Sequence, residues 1–175
     1  MSTHVETPQE YVRRILSYVE GKDPIEVLGT TARRLRTIVG DTPPAQLRRQ
    51  PAPEKWSAAQ IIAHLADSEI VGSYRLRLIL AHDGVEVQPF DQEEWARNLR
   101  YEATDPRESV ELFDATRAAN LRLLRRVDPR RHDNYGMHAE RGRETVAHLI
   151  RLYAGHDLNH LGQIERIVAT APHAQ

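Results

Sequence analysis

Histidine is the residue type with the widest chemical reach here, with nine in 175 residues. Two of them stand one helical turn apart in Tyr153-Ala-Gly-His156-Asp-Leu-Asn-His160-Leu-Gly-Gln163-Ile164. Around them Leu149, Leu152, Tyr153, His156, His160, Gln163, Ile164 and Ile167 recur at threes and fours, which puts both imidazoles on the apolar, inward face of one helix. Side chains one turn apart have Cβ atoms about 5–6 Å from each other. Their ring nitrogens can then meet at one metal ion with bonds of about 2.0–2.1 Å. The plainer alternative is a pair of hydrogen-bonded core histidines. Burial tips the balance, because an unpaired buried imidazole carries a desolvation cost that a cation would relieve. Asp157, not a glutamate, follows the first histidine, so the base of a His-Glu-x-x-His metalloprotease is missing. Two ligands do not complete a site, and the rest of the chain must supply a third.

Composition narrows what that chemistry can be. There is no cysteine. Disulfides, a thiol nucleophile and thiolate ligands are therefore excluded, leaving histidine and carboxylates as strong metal ligands. Net charge is −1, and the arginine clusters lie among acidic residues, so nothing points to a nucleic-acid or anionic-membrane partner. Hydrophobic residues at 40% and charged residues at 28% describe an ordinary globular protein. No apolar run approaches the roughly 18 residues of a membrane span, and no signal-peptide core is present, so the expected location is cytoplasmic.

Four long helices must position the histidines. Asp23-Pro24-Ile25-Glu26 combines an N-cap, a first-turn proline and an acidic third position, opening a helix to Gly40. Ser57 and Gln60 form a second start for a helix reaching about His82, with Ile61, His64, Leu65, Ser68, Gly72, Leu76 and Ile79 inward. Asp105-Pro106 opens a third to about Val127, with Leu112, Phe113, Thr116, Asn120, Leu123, Leu124 and Val127 inward. Glu144 or Thr145 opens the last, to about Thr170. A shorter amphipathic helix over 8–20 precedes the first, giving an N-terminal extension over 1–22 and a main unit over 23–171. The connection over 84–104 is unusually long, with one helical turn expected from Asp91. Its Phe90 and Trp95 are either interface anchors or aromatic packing beneath the loop. The polar stretch 128–142 reads as a loop with solvated His132 and His138. No strand is expected.

These elements make an all-α four-helix bundle, and bundles build metal sites from facing helices. His64 is then the third inward histidine, beside His156 and His160; His148 lies off the stripe. Ser68, Thr116, Asn120, Tyr153 and Gln163 are the candidate pocket walls for a small-molecule substrate. Three neutral imidazoles leave coordination positions open, which suits a catalytic site using metal-bound water or a metal-bound thiolate. Metal occupancy should fall with pH near 6.5, the reference histidine pKa, or somewhat lower.

The set Trp56-Ser57, Ile62-Ala-His64-Leu-Ala-Asp67-Ser-Glu69 and His156-Asp-Leu-Asn-His160-Leu-Gly-Gln163-Ile164 resembles the DinB/YfiT-like family of metal-dependent proteins. The likeness spans roughly Val27 to Val168. It implies an up-down-down-up four-helix bundle, commonly a homodimer, with zinc or a nickel-like divalent metal on residues matching His64, His156 and His160. It also implies an S-transferase using a low-molecular-weight thiol such as bacillithiol or mycothiol, which a cysteine-free chain would have to take from solution. A metal-dependent hydrolase or isomerase, or a non-catalytic metal-binding stress protein, are the alternatives.

Overall fold

A computed structural model describes residues 6–170. Except for the one-turn α3, each α-helix begins where a capping side chain satisfies free backbone N–H groups. Helix α1 (Pro8–Ser17) opens on a Thr7/Glu10 capping box, α2 (Pro24–Asp41) on Asp23, and the one-turn α3 (Pro44–Leu47) sits in the proline-rich connector. Helix α4 (Ala58–Ala81) starts on the expected Ser57/Gln60 box. Helix α5 (Gln92–Asn98) is capped by Asp91, α6 (Pro106–Arg126) by Asp105, and α7 (Val146–Ala169) by Thr145. Among the described residues, no helix is long and apolar enough to cross a membrane.

Helices α2 and α4 each pack against both α6 and α7, making the four-helix bundle. Its interior is two apolar cores. One gathers Leu35, Ile62, Leu65, Phe113, Leu161 and Ile164; the other gathers Leu28, Leu76, Ile79, Leu124, Val146 and Leu149. Along the chain α4 and α6 run from the first core to the second, while α2 and α7 run from the second to the first. The order is therefore up-down-down-up. Two consecutive long helices, α4 and α6, are parallel, and this is why the connection between them must be long. Helix α1 lies on α7, so close that a Cβ on Gly155 would fall 2.1 Å from the Ile15 carbonyl oxygen.

Between the two cores each of the four bundle helices contributes polar groups. Arg117 of α6, 3% exposed, donates to both carboxylate oxygens of Asp157, at 2.6 and 3.2 Å, to Glu69 Oε2 at 2.8 Å and to the Leu28 carbonyl at 3.0 Å. Asn120 donates to the other Glu69 oxygen at 2.7 Å. The inward phase of α6 is thus Val110, Phe113, Arg117, Asn120 and Leu124. Of the stripe expected from the sequence, Leu112 is instead 44% exposed and Thr116 only half-buried. The arginine takes the inward phase because two carboxylates wait there, an interaction no hydrophobic pattern records.

Three strands also form where none was expected. β1 (Val85–Val87) pairs in parallel with β2 (Tyr135–His138), which pairs antiparallel with β3 (Gly142–Thr145). They come from the long connection and the polar stretch. Each is too short to signal itself, and the sheet exists because the bundle brings the two segments together. His138 is consequently buried rather than solvated, its Nδ1 accepting from the Glu140 and Arg141 amides; His132 is half-buried. Phe90 and Trp95 pack on each other with centroids 5.0 Å apart, and Trp95 seals a small cluster of Ala63, Ala96 and Tyr101. Both rings are thus partly buried against side chains of the same connection and of α4.

The polar layer yields a prediction. Arg117→Met leaves Glu69 and Asp157 as buried carboxylates without their cation, so it should lower unfolding free energy by about 3–5 kcal/mol. Replacing all three by apolar residues of similar volume should cost far less. Urea denaturation of the two variants checks this.

Candidate metal centre

His64 comes from the first turns of α4, and His156 and His160 from the middle of α7, all at the level of the polar layer. The antiparallel packing of α4 on α7 brings their rings together. His64 Nε2 lies 3.2 Å from His156 Nε2, and His160 Nε2 lies 3.1 Å from that same atom. The three form a cluster whose ligand atoms all lie within 4.8 Å of one another. Nitrogens bonded tetrahedrally to one zinc ion at about 2.0–2.1 Å would stand about 3.3 Å apart. The donor set therefore fits a divalent cation in spacing as well as in type.

Protonation points the same way. Burial, then the neighbouring His160, lowers the His64 pKa to about 3. Burial likewise lowers His160 to about 4, against the opposing effect of its Gln163 bond. His156 is pushed well below the ordinary value by burial, then by the other two rings and Arg117. All three are neutral at pH 7, the form that binds metal. Gln163 Oε1 lies 2.8 Å from His160 Nδ1 and can only accept there, so the proton sits on Nδ1 and the Nε2 lone pair faces the cluster. His64 and His156 have no such partner: their Nδ1 atoms are buried without a hydrogen bond.

Two recesses reach the cluster. A cavity of about 300 Å³ opens at His64 and His156, walled by Ser68, Tyr153, Arg75 and Phe90 among others. A recess of about 630 Å³ opens at His160 and Gln163, beside Trp56. Of the pocket residues expected from the sequence, Ser68 stands at the cluster, its Oγ 3.3 Å from His64 Nε2, and Tyr153 lines the first cavity. Gln163 holds a ligand ring as well as lining the second recess. Asn120 belongs instead to the polar layer, bonded to Glu69, Ser73 and Arg77, and Thr116 lines neither recess at the cluster. Arg75, absent from the sequence reading, is at the first cavity. Its signal was available: it stands eleven residues after His64, about three turns along the same helix face.

His160→Ala and His64→Ala should each lose metal affinity by more than the roughly 10–100-fold expected for Gln163→Leu, which removes only the orienting bond. His138→Ala should keep full occupancy while lowering stability, since its ring is buried but lies outside the cluster. Titration against a chromophoric chelator, with thermal melts alongside, reads all four. A pH dependence follows as well. The folded-state pKa values of His64 and His160 lie at about 3 and about 4, against about 6.5 when unfolded. Between these limits the unfolded chain binds more protons, so the metal-free protein is most stable above pH about 6.5 and loses stability as pH falls toward about 4. Burial moves proton competition for the ligands into that lower range too. Denaturation of metal-free protein across this window checks the sign.

Similarity to known proteins agrees with the geometry. The model of the DinB superfamily matches residues 28–164. A protein of Oceanobacillus iheyensis provisionally named a metal-dependent hydrolase is 32% identical over 133 residues, 75% of this chain and 76% of that one. YfiT of Bacillus subtilis, with the same provisional name, is 25% identical over 160 residues, 90% of each chain. A solved structure of YfiT, described as an unusual four-helix bundle topology, superposes with a TM-score of 0.77 at 20% identity, covering 95% of this chain and 90% of that one. With three histidines converging in a bundle of this topology and a family match across most of its length, the chain belongs to the DinB superfamily.

Proposed function

We propose that this protein is a metal-dependent hydrolase of small molecules, with zinc or nickel held by His64, His156 and His160. The observation that carries the reading is the convergence of three neutral imidazole nitrogens, two of them on buried rings, at the wall of a cavity. The provisional hydrolase names of its relatives support it. A divalent cation bound there would supply Lewis acidity and lower the pKa of a water it holds, and three protein ligands leave room for one. The chain's own groups do the rest. Gln163 fixes the His160 ring. Ser68 Oγ, beside His64, can exchange hydrogen bonds with a group entering the cavity. Burial raises the Tyr153 hydroxyl to about 12. Tyr153 therefore stays protonated at neutral pH and can donate to a substrate carbonyl without itself serving as a base.

Thiol transfer is the second reading, favoured by the two recesses that meet at the cluster from the His64/His156 side and the His160/Gln163 side. A reaction between a thiol and an electrophile needs room for two reactants, and here the thiol would come from solution. The metal-loaded protein should hydrolyse small esters or amides with no thiol present, and His160→Ala should fall to background at unchanged helical content. Turnover of electrophiles only on addition of bacillithiol or mycothiol would replace hydrolysis by S-transfer. Tight metal binding with no turnover in either assay would overturn both.

A further inference from the structure

Arg75 is 5% exposed, yet among the described residues no carboxylate lies within ion-pair distance of it. Its neighbours are the Gln88 carbonyl, which accepts from Nη2, the Phe90 ring, 5.8 Å from the guanidinium carbon, and the Tyr153 side chain. None of these neutralises a charge. A buried guanidinium without an anion is costly, and in a folded protein it normally has a partner. The other buried arginine, Arg117, has two. Arg75 instead lines the cavity shared with His64 and His156. The other charged groups at that cavity do not meet its need: Arg141 is paired with Glu144, Glu6 with Arg14, and Glu140 is exposed at the rim.

The helix α4 explains how the two ends of the cavity are tied together. His64, Ser68, Gly72 and Arg75 follow one another on one face of it. At Gly72 the missing side chain is filled by Tyr153, since a Cβ there would lie 2.5 Å from the phenol ring. Tyr153 therefore lies between Ser68 and Arg75, with its ring centroid 6.3 Å from that of His156. Tyr11, Phe90 and Leu152 add apolar wall.

We propose that Arg75 is the anion-binding end of the substrate site, and that the substrate is a small molecule with a carboxylate at one end and an apolar body between it and the reacting group. The planar guanidinium offers paired donors that match a carboxylate, with Phe90 beneath it. The inference rests on the proposed reading only in taking this cavity as the substrate site; the carboxylate recognition does not itself require the metal.

Calorimetric titration with 3-phenylpropionate and with its uncharged match, 3-phenylpropionamide, tests it. Wild-type protein should bind the acid at least about tenfold more tightly than the amide, the usual worth of a charge-assisted hydrogen bond. Arg75→Gln should erase that ratio while leaving amide binding unchanged, and Arg75→Lys should keep part of it. The ratio should persist in His160→Ala, so failure of the metal chemistry and failure of the Arg75 assignment are separable. If the ratio vanishes in His160→Ala, the carboxylate sits on the metal and the assignment falls. Equal binding of acid and amide by wild type, or an undiminished ratio in folded Arg75→Gln, also overturns it. Should Arg75→Gln not fold, the wild-type comparison and Arg75→Lys decide. Benzylphosphonate binding as tightly as the acid would mark a general anion site and overturn the carboxylate class.

Discussion

The ion cluster at Arg117 is the constraint the bundle is built around. One guanidinium bonds to a carboxylate of α4, a carboxylate of α7 and a backbone carbonyl of α2, so a residue of α6 fixes all four long helices at one level. Apolar packing above and below would tolerate sliding; a bidentate bond to Asp157 with a second bond to Glu69 does not. Such a cluster adds little net stability, because desolvating three charges costs nearly what their attraction returns. Its value lies in register. An alternative packing would leave a buried charge unpaired.

That register is also what assembles the histidine cluster. Asp157 neighbours His156 in sequence, and Glu69 lies five residues beyond His64, so the bonds that fix α4 against α7 through Arg117 also fix the two ligand-bearing turns. The histidines need not attract one another; three neutral imidazoles bring no charge to do so. They are brought into contact by the scaffold, and their burial keeps them deprotonated. The same layer separates work between its polar groups. Arg117, pushed toward its charged form by Asp157 and Glu69 despite burial, is structural. Arg75, on the cavity side with no such pair, is available to a ligand.

The small sheet closes the cavity side of the bundle. The parallel course of α4 and α6 forces a long crossover, and the chain uses it: β1 joins β2, Phe90 lies against Arg75, and Trp95 packs beneath the connection. Helix α1 completes the wall at Tyr11 by resting on Gly155, where only a glycine lets the two backbones approach.

Much of this was written in local sequence. The four long helices follow from their caps and three-four spacing, and those signals act within a turn or two, so Ser57/Gln60 and Asp105 read correctly. The triad was legible for the same reason: His64, His156 and His160 each sit on an apolar stripe where a lone imidazole would be out of place. Other features depended on residues far apart in the chain. Arg117 counts as polar in any periodicity, and its inward place is set by Glu69 and Asp157, 48 and 40 residues away; hence the misphased Leu112 and Thr116. Strands of three and four residues carry no pattern of their own and exist only in pairs, which is why His138 looked like a solvated loop residue. Sequence determined the helices and the inward faces of the three histidines, because caps and stripes are local. Tertiary structure alone decided which buried charges find partners, and so left Arg75 facing the cavity without a carboxylate among the described residues.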